Sequence, residues 1–344
     1  METAQSVDAA PMKKAITVPV GSPIKTSFVS PGDTYPLVLS PTIPGVDLAA
    51  WAAENRPFIL DALAAHGALL FRGFDARSPL EFEKVAGSIC SDLFGEYGDL
   101  PHEDMTNKIY HSTPYPADKA ILFHNESSHL PRWPVKQFFF CVQASTTGGE
   151  TPLLDCREVY RVLDKDLLAK FEEKGLMYVR NFCEDIDVPW HEFFKTKDKK
   201  EVERICKEGG MESEWIRGRT LRIKQRGRAV IKHPRTGEKV FFNQVQLHHP
   251  YCLDPATRKS LVALFKEEGL PRNVYYGDGS KIEDATMAEL DRVFWKHCKA
   301  APWQVGDLIM LDNMIISHAR KTFTGARKIV VAMGEMFNAT DLPS

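Results

Sequence analysis

Two kinds of hydrophobic spacing divide this chain into predicted helices and strands. Apolar residues recur every three or four positions, the spacing of one helix face, in the stretches 47–67, 82–93, 157–174, 255–268 and 285–298. Shorter runs rich in branched and aromatic residues, typical of buried strands, lie at 68–72, 137–142, 152–154, 240–242, 308–318 and 327–337. The pattern predicts a mainly β, α+β fold in which helices cover a β core.

The same pattern predicts how the chain is laid out. Residues 1–35 are rich in Pro, Ser, Thr and Lys without a helical period, which predicts an N-terminal tail that is partly extended. No linker composition divides the rest, so residues 36–344 are predicted to form one domain, with a helical and loop insertion around 155–300. Residues 95–118 have no period, and a long loop of this kind often lines a functional site.

Composition and charge narrow the class of protein. Hydrophobic residues make up 43% of the chain and charged residues 26%, as in a globular protein. The formal net charge is -2 and no basic run is mixed with aromatics, so neither nucleic-acid nor membrane binding is expected. Seven scattered cysteines without a C-x-x-C pair favour a reducing compartment. No apolar run approaches the ~18 residues of a membrane span, and a cytoplasmic protein is expected.

The run 123–129, Phe-His-Asn-Glu-Ser-Ser-His, carries the first candidate chemistry. His124 and Glu126 are two residues apart, and in an extended strand this spacing points both side chains to one face. His318, at the end of an apolar run, is the candidate third ligand. Two histidines and one carboxylate on one face form the facial triad of non-haem Fe(II) oxygenases. On spacing alone, a solvated strand with a surface ion pair is the alternative.

Further motifs carry a resemblance to a known family. They are Phe-His-Asn-Glu at 123–126, Gly-Gly-Glu-Thr-Pro at 148–152, Leu-Asp-Asn at 311–313, His-Ala-Arg at 318–320 and Gly-Ala-Arg at 325–327. In content and order these motifs resemble the taurine-dioxygenase superfamily of Fe(II)/2-oxoglutarate oxygenases, and most of all its clavaminate-synthase-like and syringomycin-biosynthesis-type members. The resemblance implies a double-stranded β-helix, or jelly roll, with the metal inside one mouth.

The resemblance also implies roles for individual residues. His124, Glu126 and His318 match the iron ligands, and Thr151 matches the threonine that binds 2-oxoglutarate. Arg327 matches the arginine that pairs with the distal carboxylate of 2-oxoglutarate. A planar guanidinium is suited to that task because it binds a carboxylate through two parallel hydrogen bonds.

One departure from the family concerns the substrate. A second arginine, four residues after the first, binds an anionic substrate group in taurine dioxygenase and clavaminate synthase, but Val331 stands there in this chain. A substrate acid must therefore be bound elsewhere. Arg320, which shares a face with His318 if the strand continues, and Asn125, inside the triad, are the candidate substrate residues. A surface ion pair is the alternative for Arg320.

The implied reaction uses Fe(II), 2-oxoglutarate and O2, and removes hydrogen from an unactivated C–H bond while 2-oxoglutarate is converted to succinate and CO2. The substrate expected is an amino acid or related small intermediate of specialised biosynthesis, free or tethered to a carrier. Halogenating members lack the carboxylate ligand, so Glu126 favours hydroxylation, desaturation or ring closure. A zinc-dependent hydrolase on the same ligands and a non-catalytic binding protein are the alternatives.

The remaining polar candidates receive structural interpretations. His129 is predicted to be structural because its odd offset from His124 points to the other face of a strand. His248 and His249 could contact substrate, with a satisfied loop histidine as the alternative for each. Asp312 and Asn313 are expected in a turn or in hydrogen bonds rather than on the metal.

Overall fold

The computed structural model describes residues 16–95, 108–112, 115–183, 186, 188–217 and 220–343. Its strands are β1 (Ile24–Phe28), β2 (Leu37–Pro41), β3 (Ala68–Phe71), β4 (Tyr110–His111), β5 (Ile121–His124), β6 (Arg132–Gln143), β7 (Thr147–Gly148), β8 (Leu153–Asp155), β9 (Leu176–Asn181), β10 (Glu212–Ile216), β11 (Thr220–Gly227), β12 (Val230–Lys232), β13 (Lys239–Phe241), β14 (Arg272–Tyr276), β15 (Leu308–Asp312), β16 (Ile316–Arg320), β17 (Phe323–Thr324) and β18 (Lys328–Asn338). Its α-helices are α1 (Leu48–Glu54), α2 (Arg56–His66), α3 (Pro79–Ile89), α4 (Cys156–Val162), α5 (Lys165–Lys174), α6 (Trp190–Phe193), α7 (Lys199–Glu208), α8 (Val245–His248), α9 (Pro255–Phe265) and α10 (Asp284–His297). Within these ranges, no helix has the length and apolar character needed to cross a bilayer.

The larger sheet has seven strands in the order β1-β2-β3-β15-β6-β18-β4. Its neighbouring strands are antiparallel except for β2 and β3. Side chains along β6 alternate between the two faces, as the pleat of a strand requires. Phe138 and Phe140 pack in one buried cluster with α1, α2 and α3, whereas Phe139 and Cys141 belong to a cluster on the opposite face. The larger sheet is therefore buried on both faces.

A smaller sheet, β5-β16-β8, lies against the inner face of the larger one. Leu153 and Ile316 of the smaller sheet share a buried cluster with Ile309 of the larger. Across the gap, the ring centres of Phe139 and His318 are 5.0 Å apart. Two facing sheets with helices outside form a mainly β, α+β fold of the jelly-roll type. The fold class predicted from the sequence is confirmed.

The chain crosses from the larger to the smaller sheet in a turn. The apolar run 308–318 predicts a single strand, which is wrong, because the run is divided between β15 and β16. The Asp312 carboxylate accepts a hydrogen bond from the Met314 N–H at 2.9 Å, and the Asp312 carbonyl accepts one from the Ile315 N–H at 3.0 Å. Such side-chain bonds favour a turn over a continuous strand. The turn delivers His318 to the smaller sheet.

The predicted insertion, residues 155–300, contributes helices α4 to α10 and a four-stranded sheet, β10-β11-β9-β14. Helices α4, α5 and α10 cover the outer face of the smaller sheet in a cluster that includes Phe123. The helix predicted at 157–174 is two helices, because Leu163 is extended and Asp164 caps a second helix through its side chain.

The N-terminal part of the chain contributes an edge strand. Strand β1 lies within the predicted tail and pairs with β2. Residues 1–15 lie outside the described residues, as do 96–107 and 113–114 of the predicted loop. The described part of that loop contains β4, which the sequence did not predict and which pairs with β18 at the edge of the larger sheet.

Candidate metal and cosubstrate site

The two candidate histidine ligands come from neighbouring strands of the smaller sheet. His318 on β16 lies directly across from His124 on β5. Residues directly opposite in an antiparallel pair project from the same face, so the two imidazoles meet there. Their ring centres are 4.2 Å apart, and both residues are buried. Strand pairing thus joins two residues that lie far apart in the sequence.

Glu126 completes the group from the turn that follows β5. A distance of 3.9 Å separates its Oε2 from His124 Nε2. Asn313, at the crossing between the sheets, holds the backbone of Glu126 on both sides. The Glu126 N–H donates to Asn313 Oδ1 at 2.7 Å, and Asn313 Nδ2 donates to the Glu126 carbonyl at 2.9 Å. The crossing turn therefore positions the carboxylate as well as His318.

Asn313→Ala is expected to loosen both the fold and the metal site. Asn313 is fully buried and its Nδ2 also donates to the Pro134 carbonyl at 2.9 Å, so the variant leaves several buried polar groups without partners. We expect the free energy of unfolding to fall by about 2–4 kcal/mol and Fe(II) to bind less tightly. Urea unfolding and metal titration measure the two effects. Asn338→Ala, at an exposed asparagine bonded to Asp341, is the control. Wild-type Fe(II) affinity in Asn313→Ala would contradict this role.

The donor set suits Fe(II). The three ligand atoms all lie within 4.8 Å of one another. The His124–Glu126 separation of 3.9 Å is less than twice a metal–ligand bond of about 2.1 Å, so one ion can bond to both atoms. His124 Nδ1 lies 2.8 Å from the Leu122 carbonyl, which only accepts, so Nδ1 carries the hydrogen and Nε2 keeps its lone pair for a metal. Two imidazoles and one carboxylate with open positions form the ligand set of non-haem iron oxygenases.

His318 is also in the state that a metal requires. Its Nδ1 is buried and has no hydrogen-bond partner. Burial, and then the electrostatic interaction with His124, hold the pKa of His318 well below its usual value. The ring is therefore neutral at pH 7, and a neutral imidazole is the form that binds a metal.

Another group of candidate donors in the described residues, Cys90, Asp92 and Glu335, does not suit a metal in the same way. Glu335 already forms ion pairs with Lys136 and Arg56. Burial raises the pKa of the Cys90 thiol to about 12, which keeps the sulfur protonated at neutral pH. Because a thiolate is the form that binds metals, and the carboxylate is shared by two cations, we assign no metal here.

Arg327 lies just before β18 and presents a partly buried cation. Its Nε donates to the Gly149 carbonyl at 2.9 Å, and its Cζ is 5.5 Å from the centre of the Phe323 ring. Burial, and then the charge of Arg320, lower the pKa of Arg327 to about 10, so the group stays charged at neutral pH. No carboxylate of the described residues forms an ion pair with it. A partly buried guanidinium without an ion pair is suited to an incoming carboxylate.

Thr151 lies close to the same bend of the chain. It is buried, and the two glycines that precede it, Gly148 and Gly149, have φ angles of 66° and 73°. These conformations favour glycine and let the backbone approach closely. Because Gly149 is the acceptor for Arg327, the bend brings Thr151 and Arg327 to one end of the β core.

Gly149→Ala is expected to displace Arg327. A Cβ there would lie 2.5 Å from Ser145 Oγ and 3.1 Å from Arg327 Nε, at a positive φ. We expect about tenfold weaker 2-oxoglutarate binding and a loss of about 1 kcal/mol of stability. Calorimetric titration and thermal unfolding measure these. In the control, Gly237→Ala, φ is also positive but nothing lies within 4 Å. Equal 2-oxoglutarate affinity in the two variants would contradict this placement of Arg327.

The side chain of Asn125, a predicted substrate residue, forms its hydrogen bonds within the protein. Its Nδ2 donates to the Asn313 carbonyl at 2.7 Å and to Cys156 Sγ at 3.5 Å, and its Oδ1 accepts from the Asn243 N–H at 3.2 Å. It is also almost completely buried. These contacts tie β5 to its neighbours, and they leave Asn125 no hydrogen-bonding group for a substrate.

Arg320, the other predicted substrate residue, is the last residue of β16, two positions after His318. The pairing of β16 with β5 shifts in register between these two residues. In place of a surface ion pair, its guanidinium donates to three backbone carbonyls of one loop. The acceptors are those of Tyr115 at 2.9 Å, Pro116 at 2.6 Å and Lys119 at 2.6 Å. Arg320 therefore holds this loop beside the site.

Three aromatic side chains near the metal strand form a cluster that the sequence did not reveal. The His248 ring centre is 5.0 Å from that of His129 and 4.9 Å from that of Tyr178. Burial lowers the pKa of His248 to about 3, and its Nδ1 donates to the Gln244 carbonyl at 3.1 Å. Both ring nitrogens of His249, by contrast, are occupied by backbone groups. The cluster comes from three separate segments, so no local motif could have revealed it.

Solved structures share this fold. PvcB from Pseudomonas aeruginosa has a TM-score of 0.57 and 15% identity, covering 97% of this chain and 99% of its own. AAD-2, solved with Mn(II) and N-oxalylglycine, has a TM-score of 0.51 and 16% identity, covering 90% of this chain and 96% of its own. At these sequence identities the similarity shows the fold alone.

Sequence comparison identifies the family. The family model "Taurine catabolism dioxygenase TauD, TfdA family" matches residues 33–333. The dapdiamide synthesis protein DdaC of Enterobacter agglomerans is 34% identical over 274 residues, 79% of this chain and 83% of its own. A clavaminate synthase-like protein of Arabidopsis thaliana is 28% identical over 318 residues, 87% of this chain and 93% of its own.

Fold, site and comparisons together define a dioxygenase. The chain belongs to the TauD/TfdA family, and it uses Fe(II), 2-oxoglutarate and O2. The family resemblance predicted from the motifs is confirmed, and so are the enzyme class and its cofactors. The zinc-hydrolase and binding-protein alternatives are set aside with them.

Proposed function

We propose that the chain oxidises an unactivated C–H bond of an amino acid or related small molecule, free or carrier-tethered, in a specialised biosynthetic pathway. The outcome is hydroxylation, or desaturation or ring closure. His124, Glu126 and His318 hold the iron, and Thr151 and Arg327 bind 2-oxoglutarate. The observation that carries this assignment is the convergence of three ligand atoms within 4.8 Å from β5, its following turn and β16. The name of DdaC, a dapdiamide synthesis protein, supports a biosynthetic role.

The residues of the chain have separate tasks in this reaction. When bound, iron with 2-oxoglutarate and O2 supplies the oxidising power, since the cofactor carries the difficult chemistry. The triad fixes the ion at one face and leaves the opposite positions open for ligands. Arg327 holds the distal carboxylate and thereby sets the orientation of 2-oxoglutarate. Oxidation of the substrate by two electrons accompanies the conversion of 2-oxoglutarate to succinate and CO2.

Burial of the site determines which bond is oxidised. His124 and His318 are both less than a tenth exposed, so water is largely excluded around the ligands. The neutral cluster of His129, His248 and Tyr178 borders the metal strand and offers a wall for the substrate. We propose that a substrate packed against this cluster is positioned so that one C–H bond is the one oxidised. Positioning of this kind supplies a large share of the rate enhancement in enzymes.

A succinate-coupled screen tests the proposed function. Purified protein with Fe(II), 2-oxoglutarate and O2 is incubated with a panel of amino acids, their amides and small peptides, and product masses are recorded. We expect at least one compound to raise succinate formation above the uncoupled level. A product gaining one oxygen indicates hydroxylation, and one losing two hydrogens indicates desaturation or ring closure. Succinate formation that no compound raises would count against an amino-acid-related substrate.

A further inference from the structure

Arg320 occupies a position that its loop contacts do not explain. It lies opposite Thr151, because the backbone hydrogen bonds on either side fix the register between β16 and the chain before β8. Those bonds are Ala319 N–H to the Pro152 carbonyl at 3.0 Å and Lys321 N–H to the Glu150 carbonyl at 3.1 Å. Directly opposite residues project from the same face. Arg320 thus stands between His318, two residues earlier on β16, and Thr151 across from it.

Arg320 is also a neighbour of Arg327. The Cζ of Arg320 is 5.2 Å from the centre of the Phe323 ring, and the Cζ of Arg327 is 5.5 Å from the same centre. Two guanidiniums therefore share one aromatic ring at this end of the core. Three residues assigned to iron or 2-oxoglutarate, namely His318, Thr151 and Arg327, surround Arg320.

The charge of this pair favours an anion beyond the Glu150 carboxylate, which interacts electrostatically with Arg327 without forming an ion pair. Arg320 is 7% exposed, its Nε is buried without a hydrogen-bond partner, and no carboxylate of the described residues forms an ion pair with it. Its bonds to carbonyls satisfy donors but do not neutralise the charge. A buried charge without a partner is strongly unfavourable, and two close together are worse. A ligand with two negative charges would neutralise Arg320 and Arg327 together, and 2-oxoglutarate is such a dianion.

We propose that Arg320 is a second residue for binding 2-oxoglutarate, and that its charge acts with Arg327 on the distal carboxylate. This inference rests on the proposed function. Under this proposal Arg320 binds the cosubstrate, whereas the sequence made it a candidate for binding the substrate. The same side chain holds the loop through the carbonyls of Tyr115, Pro116 and Lys119, so it also links cosubstrate binding to the order of that loop.

The test compares two oxo acids that differ only at the distal end. Dissociation constants of 2-oxoglutarate and 2-oxopentanoate, which lacks the distal carboxylate, are measured by calorimetry with Fe(II) under argon for wild type, Arg320→Met and Arg320→Lys. We expect Arg320→Met to weaken 2-oxoglutarate about 30-fold, because a charged hydrogen-bonding partner is lost, and to change 2-oxopentanoate less than threefold. Arg320→Lys keeps the charge and is expected to retain most of the 2-oxoglutarate affinity.

A different pattern of affinities is expected if Arg320 serves only to hold the loop. If Arg320 only holds the loop, Met and Lys weaken both oxo acids equally, and this outcome would overturn the proposal. Lys119→Met is the matched control, since it removes a half-exposed positive charge from the same loop while keeping the Lys119 carbonyl. Its affinity for 2-oxoglutarate is expected to equal that of wild type. Failure of wild type to bind 2-oxoglutarate would instead overturn the proposed function, so the two failures are distinguishable.

Discussion

His318→Ala is expected to abolish turnover by removing the imidazole that faces His124 across β5 and β16. Only one histidine and one carboxylate would then hold the ion, and we expect Fe(II) affinity to fall at least about 100-fold. The metal-free protein should lose about 2–4 kcal/mol of stability, because the buried ring packs against Phe139 and His124. Metal titration under argon and thermal unfolding without metal measure these two quantities separately.

His249→Ala is the matched control for a buried histidine. His249 is 7% exposed, and its ring is bonded to the Ile282 carbonyl and the Tyr251 N–H, each at 3.1 Å. Its removal is expected to lower stability by about 1–3 kcal/mol and to leave Fe(II) affinity unchanged. A His318→Ala protein that is fully able to bind iron would remove His318 from the ligand set.

Arg327→Ala is expected to raise the 2-oxoglutarate requirement about 100-fold, because a distal carboxylate buried without its partner loses about 2–5 kcal/mol. The pKa of Arg327, lowered by burial to about 10, still leaves the group charged across the neutral range, so the requirement should be constant between about pH 6 and pH 8. Above the lowered pKa the cation is lost, and 2-oxoglutarate binding should weaken. Initial rates of succinate release over a 2-oxoglutarate series at each pH measure both effects.

The variant Lys328→Ala tests which of two neighbouring cations, Arg327 or Lys328, binds 2-oxoglutarate. Arg327 lies just before β18 and is bonded to the Gly149 carbonyl, whereas Lys328 is the first residue of β18 and pairs with Gln143. We expect Lys328→Ala to keep the wild-type 2-oxoglutarate requirement. A raised requirement in Lys328→Ala with an unchanged one in Arg327→Ala would transfer the role to Lys328.

The sequence was informative where one local rule decides the structure. The pairing of His124 with His318 is what a strand-borne third ligand requires. The strand rule does not apply to Glu126, which lies in the turn after β5 and is positioned by Asn313. The helices around Trp51 also follow from apolar spacing. Helix α2 ends at Gly67, a C-cap glycine with a positive φ angle. These features depend on periods that repeat within a few residues.

The sequence was uninformative where distant contacts decide. Asn313 meets Glu126 from 187 positions away, and Arg320 reaches the Tyr115 carbonyl from 205 positions away. The hydrophobic periodicity of the sequence does not reveal contacts between residues so far apart. The apolar run 308–318 predicted one strand because hydrophobic residues continue through the crossing turn. Within the run, the Asp312 carboxylate accepts the hydrogen bond that forms the turn. Polar residues inside apolar runs therefore carried more information about this site than the runs themselves.

Binding of Fe(II) and 2-oxoglutarate under argon tests the central claim most directly. Wild-type protein titrated with Fe(II) in the presence of 2-oxoglutarate is predicted to develop the weak visible charge-transfer band of an iron-bound 2-oxo acid, saturating at one iron per chain. In His318→Ala the band should be absent at the same concentrations, while His249→Ala should show the wild-type titration. A wild-type chain without the band, or a band of equal strength and affinity in His318→Ala, would contradict an iron site built from His124, Glu126 and His318.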